Sequence, residues 1–226
     1  MAYFRCTGEG GAPAPAVQEP YLFNLQDVYF NSGVKHTANT KVVFKASFNI
    51  ASGYGCCFGT GANSFNLGTM CFYPNAEGYR CAFARTGQVA FGSFLDQSPD
   101  TTQMFYNLPI IVTCENKTAS WYEERDPSDV HSITASSGTV DGGVAPMGIF
   151  CCNNSPSTDG WNAIDPVYYM HFFWMEVYES NVLTHRFVPA YNNSQYCLYD
   201  EVAQTYIYEV NGNYSRLRGS SDIPTS

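Results

Sequence analysis

Apolar and polar residues alternate along residues 41–50, KVVFKASFNI, with the two-residue period of a β-strand. Successive side chains of a strand point to opposite faces, so one face holds Val42, Phe44, Ala46, Phe48 and Ile50. The other face holds Lys41, Lys45, Ser47 and Asn49. This pattern predicts a strand with one face in a hydrophobic core and the other in water.

Similar short runs recur about every ten residues, separated by glycine and asparagine turns, and no helical period of useful length interrupts them. The predicted strands lie within residues 21–30, 55–61, 67–73, 79–85, 88–94, 108–114, 119–124, 130–135 and 147–152. Strands at this spacing are typical of an all-β sandwich. We predict one domain over residues 21–215, an extended Gly/Pro-rich arm at 1–20 and a flexible tail at 216–226. The arm fits either a docking segment or a disordered terminus.

The stretch 167–209 is the most informative part of the chain. It predicts a long apolar strand, a two-residue turn at Ser180-Asn181, a second strand ended by Pro189, a polar loop and a hairpin over 197–209. Aromatic and β-branched residues fill each run, and turn formers separate them.

The finer pattern of this stretch resembles the closing segment of concanavalin A-like (laminin G-like) jelly-roll domains of phage structural proteins and gut bacterial proteins. The matching residues are Val177, Tyr178, Leu183, Arg186, Phe187, Val188, Pro189, Leu198, Tyr199, Asp200, Val202, Tyr206 and Tyr208. An upstream segment matches at Gly33, Asn39, Thr40 and Lys41. The resemblance covers roughly residues 27–212 and implies a jelly-roll sandwich of two antiparallel sheets, but its motifs specify fold far better than function.

Charge and composition narrow the classes of partner. The 226 residues carry 11 Lys and Arg against 20 Asp and Glu, a formal net charge of −9, which argues against nucleic acid or an anionic membrane as partner. No apolar run reaches about 18 residues, so we expect no membrane-spanning helix. The N-terminus lacks the apolar core of a secretory signal, so we expect synthesis and retention inside a cell until another agent releases the protein.

The nine cysteines show neither a disulfide framework nor a zinc motif, since their number is odd and no C-x-x-C repeat occurs. The doublets Cys56-Cys57 and Cys151-Cys152 lie next to strand residues, so we expect one thiol of each doublet in the core. We predict free, buried thiols, as in a protein that folds in a reducing compartment.

Many jelly rolls of the resembled type are glycoside hydrolases, which need two carboxylates across the sugar. Neither Glu176 with Glu179 nor Glu123 with Glu124 places two carboxylates on one strand face two residues apart. The four histidines are isolated from any nucleophile motif, and His171 fits a packed, hydrogen-bonded core residue better than a general base. We expect a non-enzymatic protein without a cofactor.

Laminin G-like domains often hold calcium at one rim, and the loop 153–165 offers Asp159, Asn162 and Asp165 as ligands for such a site. The same loop also fits a simple polar turn. Its Trp161 is a candidate for stacking against a sugar ring, because a tryptophan in a loop has few packing reasons to exist.

The long strand at 170–179 is apolar on both faces. If Phe173, Met175 and Val177 face the core, then Phe172, Trp174, Glu176 and Tyr178 share the opposite face. That face must be covered by the same chain, another subunit or a ligand. We therefore take Phe172, Trp174 and Tyr178, together with Trp161, as candidate glycan or subunit contacts.

Two functional classes follow. The first is a bacteriophage virion protein, a head decoration, fibre or tail-associated component, which assembles in the host cytoplasm as a homo-oligomer. In it, Tyr3 and Phe4 at the head of the arm dock to other virion proteins, and the sandwich is displayed outward, where it can bind host or mucosal glycans. The second is a bacterial carbohydrate-binding or adhesin module. The missing signal and the unpaired cysteines favour the first class.

Overall fold

The computed structural model describes residues 17–25, 27–48, 55–60, 69–75, 78–85, 88–93, 108–134, 142–155, 162–164, 167 and 169–220. The backbone alone is described at 17, 48, 69–75, 78–85, 88–93, 133 and 164. In chain order the first strands are β1 (Val17–Gln18), β2 (Leu22–Asn24), β3 (Phe30–Asn31), β4 (Thr40–Phe48), β5 (Phe58–Thr60), β6 (Thr69–Asn75), β7 (Gly78–Arg85), β8 (Gln88–Ser93), β9 (Ile110–Glu115) and β10 (Thr118–Glu123). They are followed by β11 (His131–Thr134), β12 (Gly148–Ile149), β13 (Cys152–Asn153), β14 (Ala163–Ile164), β15 (Met170–Glu179), β16 (Val182–Asn192), β17 (Gln195–Asp200), β18 (Thr205–Ile207), a 3-10 helix (Tyr214–Arg216) and β19 (Leu217–Gly219).

The strands of the described residues form two sheets. The large sheet has the order β11-β10-β9-β4-β15-β16-β17-β18, with β1 added on β16, β2 on β15 and β19 on β2. The small sheet has the order β14-β13-β5-β6-β7-β8, with β12 on β5 and β3 on β12. All pairs are antiparallel except β5 with β13. The predicted all-β jelly-roll sandwich is confirmed. No helix among the described residues is long and apolar enough to cross a membrane.

The core lies between the two sheets. Phe44 of β4 and Phe58 of β5 meet across it, with ring centroids 5.3 Å apart. Phe150 contacts Phe30 and Phe172, each with ring centroids 5.6 Å away. The alternation predicted for β4 is confirmed from Lys41 to Ala46, because Val42, Phe44 and Ala46 are buried and Lys41 and Lys45 are only half-buried. Ser47, predicted to face water, is buried instead.

β15 contains a bulge that reverses its alternation. Its register with β4 shifts between Phe172 and Trp174. Met170 and Phe172 enter the core before the bulge, and Met175 and Val177 enter it afterwards. Phe172 is 1% exposed, so placing it on the outer face with Trp174 and Tyr178 was wrong, as was placing the half-buried Phe173 in the core. One extra residue moves every side chain on one flank of a bulge to the other face.

The bulge lies where β15 changes partners. On its C-terminal side β15 pairs with β16, from Met175 opposite Phe187 to Glu179 opposite Val182. On its N-terminal side it pairs with β2, with His171 opposite Phe23. β15 and β16 therefore diverge beyond the bulge. There β2 pairs with β15 and β1 pairs with β16, so the backbone groups of both strands keep hydrogen-bond partners.

The turns that link β15, β16 and β17 each contain two residues. Ser180 and Asn181 have φ values of 50° and 65°, and Asn193 and Ser194 have 49° and 62°. Positive φ at both central residues is what a type I′ hairpin turn requires. The predicted turn at Ser180-Asn181 is confirmed.

Pro189 does not end the second strand, contrary to the sequence prediction. β16 continues through it to Asn192, with Pro189 opposite Leu198 of β17. The Pro189 carbonyl accepts a hydrogen bond from the Glu19 backbone N–H at 3.2 Å, on the side away from β17. The nitrogen of a strand residue points to the same side as its carbonyl, so the missing N–H removes no bond to β17.

The sandwich extends beyond the predicted boundaries at both ends. β1 lies inside the predicted arm and pairs with Tyr191 and Ala190 of β16. β19 lies inside the predicted tail, and its Leu217 is fully buried in the core. The composition of these segments did not reveal the pairing, since a two- or three-residue strand leaves almost no periodic signal.

The described cysteines are free and buried: Cys56, Cys57, Cys114, Cys151, Cys152 and Cys197. Both thiols of each doublet are buried rather than one. Strand β5 begins after Cys57 and β12 ends before Cys151, so strict strand alternation does not apply to either doublet. Phe150, next to Cys151, has a φ of 68°, which turns the chain there.

Candidate functional site

Several of the predicted site residues lie outside the described residues. These are Trp161, Asp159 and Asp165 of the loop and Tyr3 and Phe4 of the arm. Asn162 is exposed, and its backbone N–H donates to the Asn153 side-chain oxygen at 3.0 Å. No group of three or more His, Cys, Asp or Glu side chains suited to a metal ion occurs among the described residues.

Trp174 lies on the outer face of the large sheet beside three tyrosines. It packs with Tyr206 and Tyr208 against a small apolar cluster of Val188, Ala190, Cys197 and Tyr199. The Tyr199 and Tyr206 rings are 4.9 Å apart, and the Tyr206 and Tyr208 rings are 6.4 Å apart. We call Trp174, Tyr199, Tyr206 and Tyr208 the aromatic stripe. Tyr199 is buried, whereas the other three rings are partly exposed.

Cross-strand pairing produces this stripe. β17 pairs with β16 and β18, so Tyr199 stands opposite Val188 on one side and opposite Tyr206 on the other. Residues directly opposite in an antiparallel pair project on the same face. The bulge in β15 is what puts Trp174 on this outer face while Phe172 enters the core.

A charged network borders the stripe. Arg186 contacts Glu176 at 3.2 Å and Glu201 at 2.6 Å, and Gln18 donates to Glu201 at 3.0 Å. Tyr178 donates its hydroxyl to Glu176 at 2.7 Å, a bond that raises the pKa of that hydroxyl. The ammonium of Lys41 sits 4.4 Å from the Tyr178 ring centroid, within the range of a cation–π contact.

A second group of rings continues the outer face toward β2. His171 stacks on Phe23 with ring centroids 4.5 Å apart and meets Tyr21 edge-on at 4.9 Å. Phe173 lies 5.7 Å from Tyr21. Burial lowers the pKa of His171, because the charged imidazolium loses hydration there. His171 is packed against these rings, but it is half-buried on the outer face and not in the core as predicted, and its buried Nδ1 has no hydrogen-bond partner among the described residues.

On the inner side of the same sheet, an open cleft of about 430 Å³ lies between the end of β3 and strands β16 to β18. His185 and Asp200 lie in it, with His185 Nδ1 at 2.6 Å from Asp200 Oδ2. The His185 ring is parallel to the Phe187 ring, at 5.7 Å between centroids. Sequence reasoning missed this cleft, because Asn31 of the small sheet joins it only in the folded chain.

Asp200 also explains part of the resembled motif. Its Oδ1 accepts the backbone N–H groups of Arg186, Val202 and Ala203 at 3.1, 3.0 and 3.3 Å. These bonds fix the chain as it leaves β17 for β18. The aspartate of the Leu198-Tyr199-Asp200 motif therefore stabilises the turn between two strands. This structural role explains why the motif indicates the fold and not a function.

The other carboxylates considered for catalysis sit in contacts of their own. Glu123 contacts Arg125 and Glu124 contacts Lys45, each at 2.6 Å. Glu179 accepts hydrogen bonds from the hydroxyls of Thr37 and Thr40. These contacts fit rim and turn positions.

No protein-family model matches the chain, and no curated protein matches it. Among solved structures, mouse laminin alpha1 chain domains LG4-5 match with a TM-score of 0.36 and 10% identity, over 81% of this chain and 47% of that one. NanB with Optactamide matches with a TM-score of 0.33 and 8% identity, over 85% and 38%. The CBM2 module of the evolved Dit of Lactobacillus casei BL23 phage J-1 matches with a TM-score of 0.31 and 12% identity, over 76% and 79%.

The chain thus spans about half the length of the laminin structure it matches. All three likenesses are too distant to carry an inference about ligand or partner.

Proposed function

We propose that the protein is a non-enzymatic structural component of a bacteriophage virion, a head decoration, fibre or tail-associated protein, which binds host or mucosal glycans through the outer face of its large sheet. The aromatic stripe carries the glycan part of this proposal. It presents Trp174, Tyr206 and Tyr208 partly exposed around one small apolar cluster on the sheet.

The chemistry of this face suits a carbohydrate. The C–H faces of a sugar ring stack on flat aromatic side chains, and its hydroxyls bond to planar carboxylate and guanidinium groups. Glu176, Arg186 and Glu201 stand beside the stripe and already hold one another in place. A face built from rings and mutually oriented polar groups loses little side-chain entropy on binding.

Two observations support the virion part. The closing segment resembles jelly-roll domains of phage structural proteins, and the described thiols are free, as expected of a chain that folds in a reducing cytoplasm. In this proposal the protein is a homo-oligomer, and Tyr3 and Phe4 of its arm contact other virion proteins. It requires no catalytic residue and no cofactor, although calcium at Asp159, Asn162 and Asp165 would fit a rim site.

The glycan proposal is tested by a glycan array probed with the purified protein, with calcium and with a chelator. We expect specific binding that Trp174→Ala and Tyr178→Ala each weaken by about tenfold. Tyr122→Ala is the matched control, since this half-buried tyrosine lies on β10, three strands away from β15. Silence on the array, or equal losses in all three variants, would contradict binding at this face.

The virion proposal is tested by deleting residues 1–16, which leaves β1 intact. Particles purified from a phage-producing host should contain the full chain and lack the truncated one, while the truncated chain keeps its melting temperature. Equal incorporation of both chains would exclude docking by the arm. A protein that binds glycans but joins no particle would instead be the bacterial carbohydrate-binding or adhesin module.

A further inference from the structure

The inter-sheet cleft holds hydrogen-bonding groups that the outer face does not use. Phe187, which faces the core, stands opposite Asp200, and Asp200 stands opposite Thr205. His185, two residues before Phe187 on the same strand, shares this inner face. These residues lie on the side of the sheet opposite Trp174, and the cleft also reaches Tyr206 and Tyr208 of the aromatic stripe at the edge strand β18.

Asp200 fixes the hydrogen-bonding state of His185. Its Oδ1 already accepts three backbone N–H groups, and its Oδ2 is 2.6 Å from His185 Nδ1. A carboxylate surrounded by donors acts as an acceptor only, so His185 donates its Nδ1–H to Asp200. Nε2 is left for another partner, as an acceptor in the neutral ring or a donor in the charged one, on a ring held by its stacking with Phe187.

Two further polar groups on the residues that line the cleft are available for hydrogen bonds to a ligand. The Asn31 side-chain oxygen accepts the Gly33 N–H at 3.0 Å, which leaves its amide Nδ2 as a donor. Thr205 is exposed and lines the cleft. Within the described part of the chain, neither the Asn31 Nδ2, the Thr205 hydroxyl nor the His185 Nε2 has a hydrogen-bond partner. The His185 Nε2, an amide donor and a hydroxyl thus surround one space, which Tyr206, Ile207 and Tyr208 also line.

We propose that this cleft is a second binding site, which takes a neutral sugar ring or a comparable polyol. Its volume of about 430 Å³ lies in the range of small-ligand pockets. A polyol supplies adjacent hydroxyls that both donate and accept, as the three unused groups require, and its C–H face fits against Ile207. An anion does not fit, because the described lining includes no Lys or Arg and contains the Asp200 carboxylate.

Two substitutions test the site without disturbing the fold. Thr205→Val keeps a β-branched side chain at an exposed strand position and removes the hydroxyl. Asn31→Asp keeps the oxygen that holds the Gly33 N–H and removes the amide donor. Trp174→Ala serves as the control, since Trp174 belongs to the aromatic stripe and does not line the cleft.

The experiment is a titration with a panel of neutral methyl glycosides and inositol up to about 50 mM, followed by the imidazole NMR signals. The His185 signal is assigned with His185→Phe. We expect at least one compound to shift that signal with a saturable curve, and Thr205→Val and Asn31→Asp each to weaken its binding about five- to tenfold. Trp174→Ala should leave this Kd unchanged.

If no compound moves the His185 signal, or if both substitutions leave the Kd unchanged, the cleft is not a polyol site. This result is separable from the proposal for the outer face. Array binding that is lost in Trp174→Ala and kept in Thr205→Val supports the outer face alone, and the reverse pattern supports the cleft alone.

Discussion

The bulge in β15 makes a sharp prediction for two neighbouring phenylalanines. Phe172 is 1% exposed and packs on Phe150, whereas Phe173 is half-buried on the outer face near Tyr21 and Lys45. Phe172→Ala should therefore cost far more stability than Phe173→Ala. The two changes remove the same atoms from adjacent positions of one strand, so the comparison isolates burial.

The magnitude follows from the area removed from water. A buried phenylalanine ring contributes roughly 150–250 Å², worth about 4–6 kcal/mol at about 25 cal/mol per Å². We expect Phe172→Ala to lower the free energy of unfolding by about 4 kcal/mol, within the usual range for phenylalanine truncation. Phe173→Ala should cost about 1–2 kcal/mol, because much of its ring stays in water.

Guanidinium unfolding followed by tryptophan fluorescence measures both values. With a slope of about 3 kcal/mol per M, the midpoint should fall by about 1.3 M for Phe172→Ala and by about 0.5 M for Phe173→Ala. Equal shifts of the midpoint, or a larger shift for Phe173→Ala, would contradict the bulge and favour the sequence prediction, in which Phe173 faces the core.

Three further predictions concern buried polar groups. Burial raises the pKa of Cys197 to about 12, so about one thiol in ten thousand is ionised at pH 8. Alkylation of this thiol should therefore be very slow in the native protein and fast in the unfolded protein. Rapid labelling of the native protein in a mass-spectrometric time course would contradict this. Burial lowers the pKa of His171, so as the pH falls the unfolded state takes up this proton before the folded state does. The free energy of unfolding should therefore fall as the pH drops below 6.5, and His171→Phe should reduce its slope against pH when unfolding is measured from pH 8 to 5. Identical slopes in both proteins would contradict this. Asp200→Ala leaves three backbone N–H groups without their acceptor and should destabilise by about 3 kcal/mol, more than Asp200→Asn, in calorimetry.

The alternating pattern of the sequence determined the strand class and the main faces. Val42, Phe44 and Ala46 face the core because an alternating run allows only one register once one side is buried. Turn residues determined the hairpin between β15 and β16, since Ser180 and Asn181 tolerate positive φ. Both signals are local, so they can be recognised without the rest of the chain.

Tertiary contacts decided what local patterns do not encode. The bulge exists where β15 leaves β16 for β2, and it reverses the faces of Phe172 and Phe173 without any mark in composition. Pro189 stays within a strand because its nitrogen faces away from β17, which depends on the register of β16 against β17.

The two candidate sites show the same division. The aromatic residues of the stripe are evident in the sequence, but their row exists only because β15 to β18 pair in register. The cleft joins Asn31 of the small sheet to His185 and Thr205 of the large one, residues more than 150 positions apart. The sequence alone predicts a two-sheet sandwich rich in aromatic residues. The pairing of distant strands decided which rings and polar groups share a surface, because cross-strand neighbours are set by hydrogen-bond register and not by proximity along the chain.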